Sequence, residues 1–257
     1  MEETGKNPIQ VAERLFQVIE RLAENGPMGI MDLSAELGFH KSTTHRLVTS
    51  LQYMGYIRQD EESLKYALSL KFLEIGSKIL EQTNMASLIH PSLKKLSEQT
   101  GETVHLVRRE GTEAVYIDKV ESTVSSIRMV SRVGSRIPLY CSGVGKALLA
   151  ELPDPEIEDI WNSSEITSLT PYTVTSLSDL MDRIRGVREA GFAMDDEENE
   201  EGVRCIAVSI PDYHKEPVYA LSISAPVSRM TDARIAELST DVLTFKKDLE
   251  KTLGFSR

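Results

Sequence analysis

Leu37-Gly38-Phe39-His40-Lys41-Ser42-Thr43-Thr44-His45-Arg46-Leu47 is the stretch on which the reading of this chain turns. Gly38-Phe39-His40 is a turn between two short amphipathic segments. Upstream, Ile30, Leu33 and Leu37 recur at helical spacing; downstream, the pattern predicts a helix over 41–54 that Gly55 ends. At 100° per residue, Thr44, Leu47, Val48, Leu51 and Met54 share one side of that helix. Ser42, His45, Arg46, Thr49 and Tyr53 share the other. Farther out, Val11, Leu15, Val18 and Leu22 predict a first helix over 8–24, stopped by Asn25-Gly26-Pro27. After Gly55, residues 56–59 and 65–68 read as short strands around Asp60-Glu61-Glu62-Ser63. Three helices followed by a hairpin form the pattern of a winged helix-turn-helix.

That geometry lays the second helix of the pair in the DNA major groove. Arg46 can pair bidentately with guanine, and Ser42, Thr43 and Thr49 carry hydroxyls for bases or phosphates. His45 shares their face. Lys41, at the helix start, suits a phosphate, and Arg58 and Lys65 on the wing suit the backbone or minor groove. An ordinary polar surface helix, or a module that binds protein, would show some of the same residues. The charge distribution favours DNA. The chain carries a formal net charge of −11, which argues against bulk coating of nucleic acid. The first 80 residues hold 9 basic against 11 acidic side chains, the remainder 20 against 29. Residues 38–71 reverse the balance, with five basic groups and three acids, a local basic face for selective docking.

The 257 residues suffice for two domains, and a 40% apolar content supports packed cores. No apolar run spans a membrane, the first residues are polar, and two cysteines make no disulfide framework, so a soluble cytoplasmic protein is expected. A linking helix is predicted over 70–82, with a break at Thr83-Asn84 and another helix over 86–99. Beyond it the pattern is α+β. Strands are expected at 103–109, 114–120, 126–130, 203–210 and 217–225, and helices at 143–152, 154–161, 177–190 and 229–253. These signals divide the chain into a winged helix-turn-helix over 1–69, a linker helix over 70–84 and a larger domain over 85–257.

Three stretches resemble the IclR family of transcriptional regulators. They are the 37–47 segment, Pro138-Leu139-Tyr140-Cys141-Ser142-Gly143-Val144-Gly145-Lys146-Ala147-Leu148-Leu149-Ala150, and Gly191-Phe192-Ala193-Met194-Asp195-Asp196-Glu197-Glu198 followed by Gly202-Val203-Arg204-Cys205-Ile206-Ala207. The resemblance implies a winged helix-turn-helix, a linker helix and a GAF-like α/β effector-binding domain. It also implies dimers that pair into tetramers on operator DNA, and members that repress, activate or both. Phe39-His40 stands where Leu-Pro is common in the family, which bears on the DNA target. Ile210-Pro211-Asp212 stands where an aromatic often follows the last strand.

The second stretch places a glycine-containing turn, Ser142-Gly143-Val144, before an apolar helix. Free backbone N–H groups and the positive helix end there attract an anion. A Walker A loop would need Gly at 140 and Ser or Thr at 147, where Tyr140 and Ala147 stand, so a carboxylate suits the turn better than a nucleotide. Alternatively the glycines serve close packing. The resemblance implies that Asp195, Cys205, Ser222 and Ser224 line the effector cleft with this turn. By itself the run Asp195–Glu201 reads as a solvated acidic loop, and the two serines, i and i+2 on a strand, could serve local hydrogen bonds. No Lys or Arg belongs to the matched set, so backbone N–H groups are expected to meet the anion. Asp195 then favours a monocarboxylate with a hydroxyl or keto group over a dicarboxylate.

Cys141, Cys205, His90, His105 and His214 are the only candidate nucleophiles and bases, and none stands in a catalytic motif. Convergence of Cys141, Cys205 and Asp195 on zinc is an alternative without paired-ligand spacing to support it. The expectation is therefore a non-enzymatic regulator without cofactor or metal. Its partners are double-stranded operator DNA, a hydroxy- or keto-carboxylate effector and further copies of itself, with no membrane.

Overall fold

The structure, a computed structural model, describes residues 8–82, 84–122, 131–212, 214 and 216–253. The chain forms two compact units, 1–83 and 84–257.

The first unit holds α1 (Gln10–Asn25), α2 (Ile30–Leu37), α3 (Lys41–Tyr53), β1 (Ile57–Gln59), β2 (Tyr66–Leu68) and α4 (Lys71–Gln82). Gly38 ends α2 in the left-handed region, φ 65°, which glycine enters without steric cost, and so turns the chain into α3. One cluster fills the interior: Val18 and Leu22 of α1, Leu33 of α2, Leu47, Val48 and Leu51 of α3, with Ile57 and Tyr66 of the wing. Thr44 is buried among them and its hydroxyl donates back to the His40 carbonyl. Met54 was expected on this inner side; it lies past the helix end and is exposed. β1 and β2 pair antiparallel, Ile57 opposite Leu68, and Met28 exchanges two backbone hydrogen bonds with Tyr66. Lys71 fixes the start of α4, donating to the Met54 carbonyl and lying 4.2 Å from the Tyr56 ring centre.

The second unit is a six-stranded antiparallel sheet between two layers of helices. In chain order it holds α5 (Met85–Thr100), β3 (Thr103–Glu110), β4 (Glu113–Val120), β5 (Arg136–Pro138), α6 (Gly143–Ala150), α7 (Asp154–Asn162) and α8 (Leu177–Ala190). Then follow β6 (Ala193–Asp196), β7 (Val203–Ile210), β8 (Tyr219–Pro226) and α9 (Asp232–Thr252). The strand order is β5-β4-β3-β8-β7-β6. Strand alternation sorts the side chains. Val104, Leu106, Ile206, Val208, Leu221 and Ile223 face α5 and α9 in one core. The opposite face packs on α6, α7 and α8. There the alternate positions of β3, β7 and β8 carry His105, Cys205, Ser222 and Ser224, short or polar side chains that leave space under α6.

Two strands escaped the sequence pattern. β5 and β6 hold three and four residues, too few for alternation to show. β6 corrects the reading of the acidic run. Asp195 lies in the sheet opposite Cys205, and both Asp195 and Glu198 are buried. The strand expected at 126–130 lies outside the described residues. Among the described residues no helix is long and apolar enough to cross a membrane.

Candidate functional site

Two constellations stand out, one in each unit. On α3, Lys41, Ser42, His45, Arg46 and Thr49 are exposed and Thr43 is half-buried. Arg58 on β1 and Lys65 before β2 are exposed on the wing. Lys41, Arg46, Arg58 and Lys65 form no ion pair among the described residues. The Thr49 hydroxyl lies 3.4 Å from His45 Nδ1, one turn away on the same face. No side chain caps the start of α3, so its first N–H groups and the Lys41 ammonium present positive charge together. The face offers hydrogen-bond donors and uncommitted cations, as a polyanion with readable edges requires.

In the second unit a cavity of about 40 Å3 lies between the start of α6 and the sheet. All seven residues expected at an effector site line it: Ser142, Gly143, Val144, Asp195, Cys205, Ser222 and Ser224. Their roles differ in detail. Ser142 is the N-cap of α6; its hydroxyl accepts from the Gly145 N–H at 3.1 Å and donates to the Pro138 carbonyl at 2.6 Å. It shapes the turn and has little left for a ligand. The amides of Gly143 and Val144 precede that cap contact, at the positive end of the helix.

The two glycines meet different surroundings. A Cβ at Gly145 would overlap the Leu139 carbonyl, so that glycine serves packing. A Cβ at Gly143 would stand 3.0 Å from Cys205 Sγ and 3.4 Å from the Asp195 nitrogen, a tight fit against the cavity wall.

Sequence reasoning missed His105, Tyr116 and Ser131, which also line the cavity. His105 Nε2 lies 2.8 Å from the Ser131 hydroxyl; its Nδ1 lies 3.4 Å from Ser222 and 3.3 Å from Ser224. Burial, reinforced by the Lys119 charge, pushes the imidazole pKa down to about 3, so the ring is neutral at pH 7. A neutral ring among three hydroxyls can both donate and accept. The strand register gives a signal for it. His105 stands directly opposite Ser222, so the imidazole shares a face with the serines.

Sequence reasoning also left out Lys146. It lies in α6, 1% exposed, and its ammonium is bonded to the carboxylate of Glu198, 2% exposed. Lys146 is not among the residues that line the cavity, but its charge bears on Asp195. The signal was a lone lysine in the otherwise apolar Gly143-Val144-Gly145-Lys146-Ala147-Leu148-Leu149-Ala150, since a buried charge demands a partner.

Asp195 Oδ1 accepts from the Glu198 N–H at 2.8 Å, and Oδ2 from Cys205 Sγ at 3.8 Å. Burial raises its pKa to about 6 against the opposing pull of Lys146 and the backbone donors. Burial also raises the Cys141 thiol to about 12 and holds Cys205 well above its ordinary value, with the Asp195 carboxylate adding to both. Neither thiol is poised as a nucleophile. Among the described residues no three His, Cys, Asp or Glu side chains are grouped to hold a metal ion.

With the exposed face of α3 and the cavity under α6 described, the comparisons with known proteins are specific. The profile of the IclR helix-turn-helix domain matches residues 11–61. That of the bacterial transcriptional regulator IclR C-terminal matches residues 77–250. The chain belongs to the IclR family. The acetate operon repressor of Salmonella typhimurium is 36% identical over 252 residues, covering 97% of this chain and 92% of its own. The KdgR regulator of Escherichia coli is 34% identical, with 97% and 95% covered. Among solved structures, the IclR of Thermotoga maritima shares 31% identity at a TM-score of 0.64, covering 95% of this chain and 99% of its own. IclR-family regulators bind operator DNA and small-molecule effectors. This chain is accordingly a DNA-binding transcriptional regulator and not an enzyme.

Proposed function

We propose that the cavity under α6 is the sensor of this regulator, and that a small monocarboxylate with a hydroxyl or keto group, bound there, changes its affinity for operator DNA in the cytoplasm. The observation that carries this reading is the convergence of the α6 start, Ser222, Ser224 and neutral His105 on one cavity. The helix start meets the carboxylate. The hydroxyls and the imidazole, which donate or accept as required, meet the second oxygen.

Size narrows the ligand. About 40 Å3 has room for roughly three water-sized groups. Two- and three-carbon acids are therefore favoured over longer ones, and even these must part the walls slightly. A ligand that fits only a widened cavity biases the protein toward that widened state, as a switch requires.

Contacts to the operator are assigned to Lys41, Ser42, Thr43, His45, Arg46 and Thr49 on α3 and to Arg58 and Lys65 on the wing. Reading paired half-sites requires a symmetric assembly, at least a dimer. Exposed apolar side chains on and beside α1 and α4, namely Val11, Phe16, Leu70 and Leu73, supply a surface for it. A monomer in light scattering at micromolar concentration would contradict this assembly.

Calorimetry with glycolate, lactate and pyruvate tests the sensor. At least one acid should bind, and Ser222→Ala and Ser224→Ala should each weaken it several-fold, a net ~0.5–1.5 kcal/mol for one hydrogen bond. Operator binding without the acid should survive both changes. An aromatic or purely apolar ligand that binds and ignores both substitutions refutes the assignment.

A further inference from the structure

The cavity under α6 already contains an acid, and among the described residues no lysine or arginine lines it to meet a second one. From α6, Lys146 reaches toward Asp195, but its ammonium is bonded to the Glu198 carboxylate and both are buried. From the turn after β6, Glu198 repels Asp195 and Glu200 lines the same space. From β7 and from the segment before α6 come the thiols of Cys205 and Cys141, both held protonated by burial. From β4 comes the Tyr116 phenol, raised by burial, and from β3 the neutral His105. Lys119 of β4 is committed to the Glu121 carboxylate and the Ser131 carbonyl. β8 contributes only the hydroxyls of Ser222 and Ser224.

The start of α6 and Asp195 line the same small cavity. The Cβ position that Gly143 leaves vacant is 3.0 Å from Cys205 Sγ, which in turn lies 3.8 Å from Asp195 Oδ2, so the start of α6 and the Asp195 carboxylate border the same thiol. A carboxylate held at the helix start would share a space of about 40 Å3 with the Asp195 side chain. Two carboxylates so placed do not both stay ionised; they share one proton.

Resting on the sensor reading above, we propose that the cavity binds a monocarboxylate together with one proton from solvent, shared between the ligand and Asp195. Asp195 is thereby the group that restricts the site to ligands of a single negative charge. The balance is simple. Free protein with ionised Asp195, one acid anion and one proton give a complex with an O–H···O bond between the two carboxyl groups. In the free protein burial holds the Asp195 pKa at about 6, so near pH 7.5 the group is mostly ionised before the ligand arrives. The complex holds more protons than its separated parts, so affinity rises as pH falls. The dependence reaches up to about tenfold per pH unit above 6 and flattens below, where Asp195 is already protonated.

Calorimetry in buffers of different ionisation heat counts the proton. Wild-type protein is titrated with glycolate, lactate and pyruvate, and with malonate as the dianion, between pH 6 and 8. Uptake approaching one proton per site near pH 7.5 is expected, with malonate at least tenfold weaker. Asp195→Asn keeps an oxygen for the Glu198 and Asn199 amides and should bind the same acid with no proton uptake and no pH dependence. Binding by wild type without uptake, or with proton release, overturns the proposal whether or not the variant folds. Equal uptake by Asp195→Asn overturns the assignment to Asp195. If none of the monocarboxylates binds, the sensor reading itself fails and takes this inference with it.

Discussion

Arg46 stands exposed on α3 with a guanidinium that no carboxylate holds among the described residues. In the proposed reading its partner is a guanine edge or a phosphate of the operator. Arg46→Ala should abolish specific operator binding, removing ~1–3 kcal/mol of discrimination at each half-site, while circular dichroism and oligomeric state stay unchanged. Wild-type affinity in a gel-shift titration would refute the contact. The α3 face was legible from residue spacing because helical periodicity separates Arg46 from Leu47 and Val48 without further knowledge. The cavity was legible only in part. Ser222 and Ser224 announce a shared face by their i, i+2 spacing, and Asp195 and Cys205 came from the family resemblance. His105 could not be placed until β3 was paired with β8, because register across strands is not written in either strand alone.

α6 shows how one helix joins packing to sensing. Its eight residues, capped by Ser142, carry one buried lysine and two glycines with separate tasks. Gly145 faces the Leu139 backbone with no space for a Cβ, and a carbonyl in the main chain cannot step aside as a side chain can. Gly145→Ala should therefore destabilise the second unit by ~1–3 kcal/mol or more, a fall of about 2–4 °C in Tm for each kcal/mol in a unit of this size. Gly186 in α8 is the control. It is exposed with nothing within 4 Å of its absent Cβ, so Gly186→Ala should be neutral or stabilising by up to ~1 kcal/mol. Equal Tm for wild type and Gly145→Ala in thermal melts would contradict the packing. The long elements α8, α9, β7 and β8 were readable from periodicity. β5 and β6 were not, since three or four residues carry no period, and the acidic run that contains β6 resembles a loop. Asp195 is buried there because the sheet supplies its partners, which composition does not reveal.

At the scale of the molecule, the chain combines an acidic whole with a local basic face, and a helix-turn-helix unit with a sheet unit that holds a small cavity lined by several polar side chains. An acidic protein avoids indiscriminate attachment to nucleic acid, and the cations on α3 and the wing then select a site. The second unit, in the proposed reading, registers a small acid. The measurement that tests this division most directly is fluorescence anisotropy of a labelled operator, selected from random duplexes by the protein itself. The full chain is titrated with and without saturating glycolate, lactate or pyruvate at fixed salt and pH. The account predicts specific binding in the absence of acid, a midpoint moved several-fold by at least one acid, and no such movement in the Ser222→Ala/Ser224→Ala double variant. Superimposable curves with and without every acid, on an operator the protein binds specifically, would contradict it.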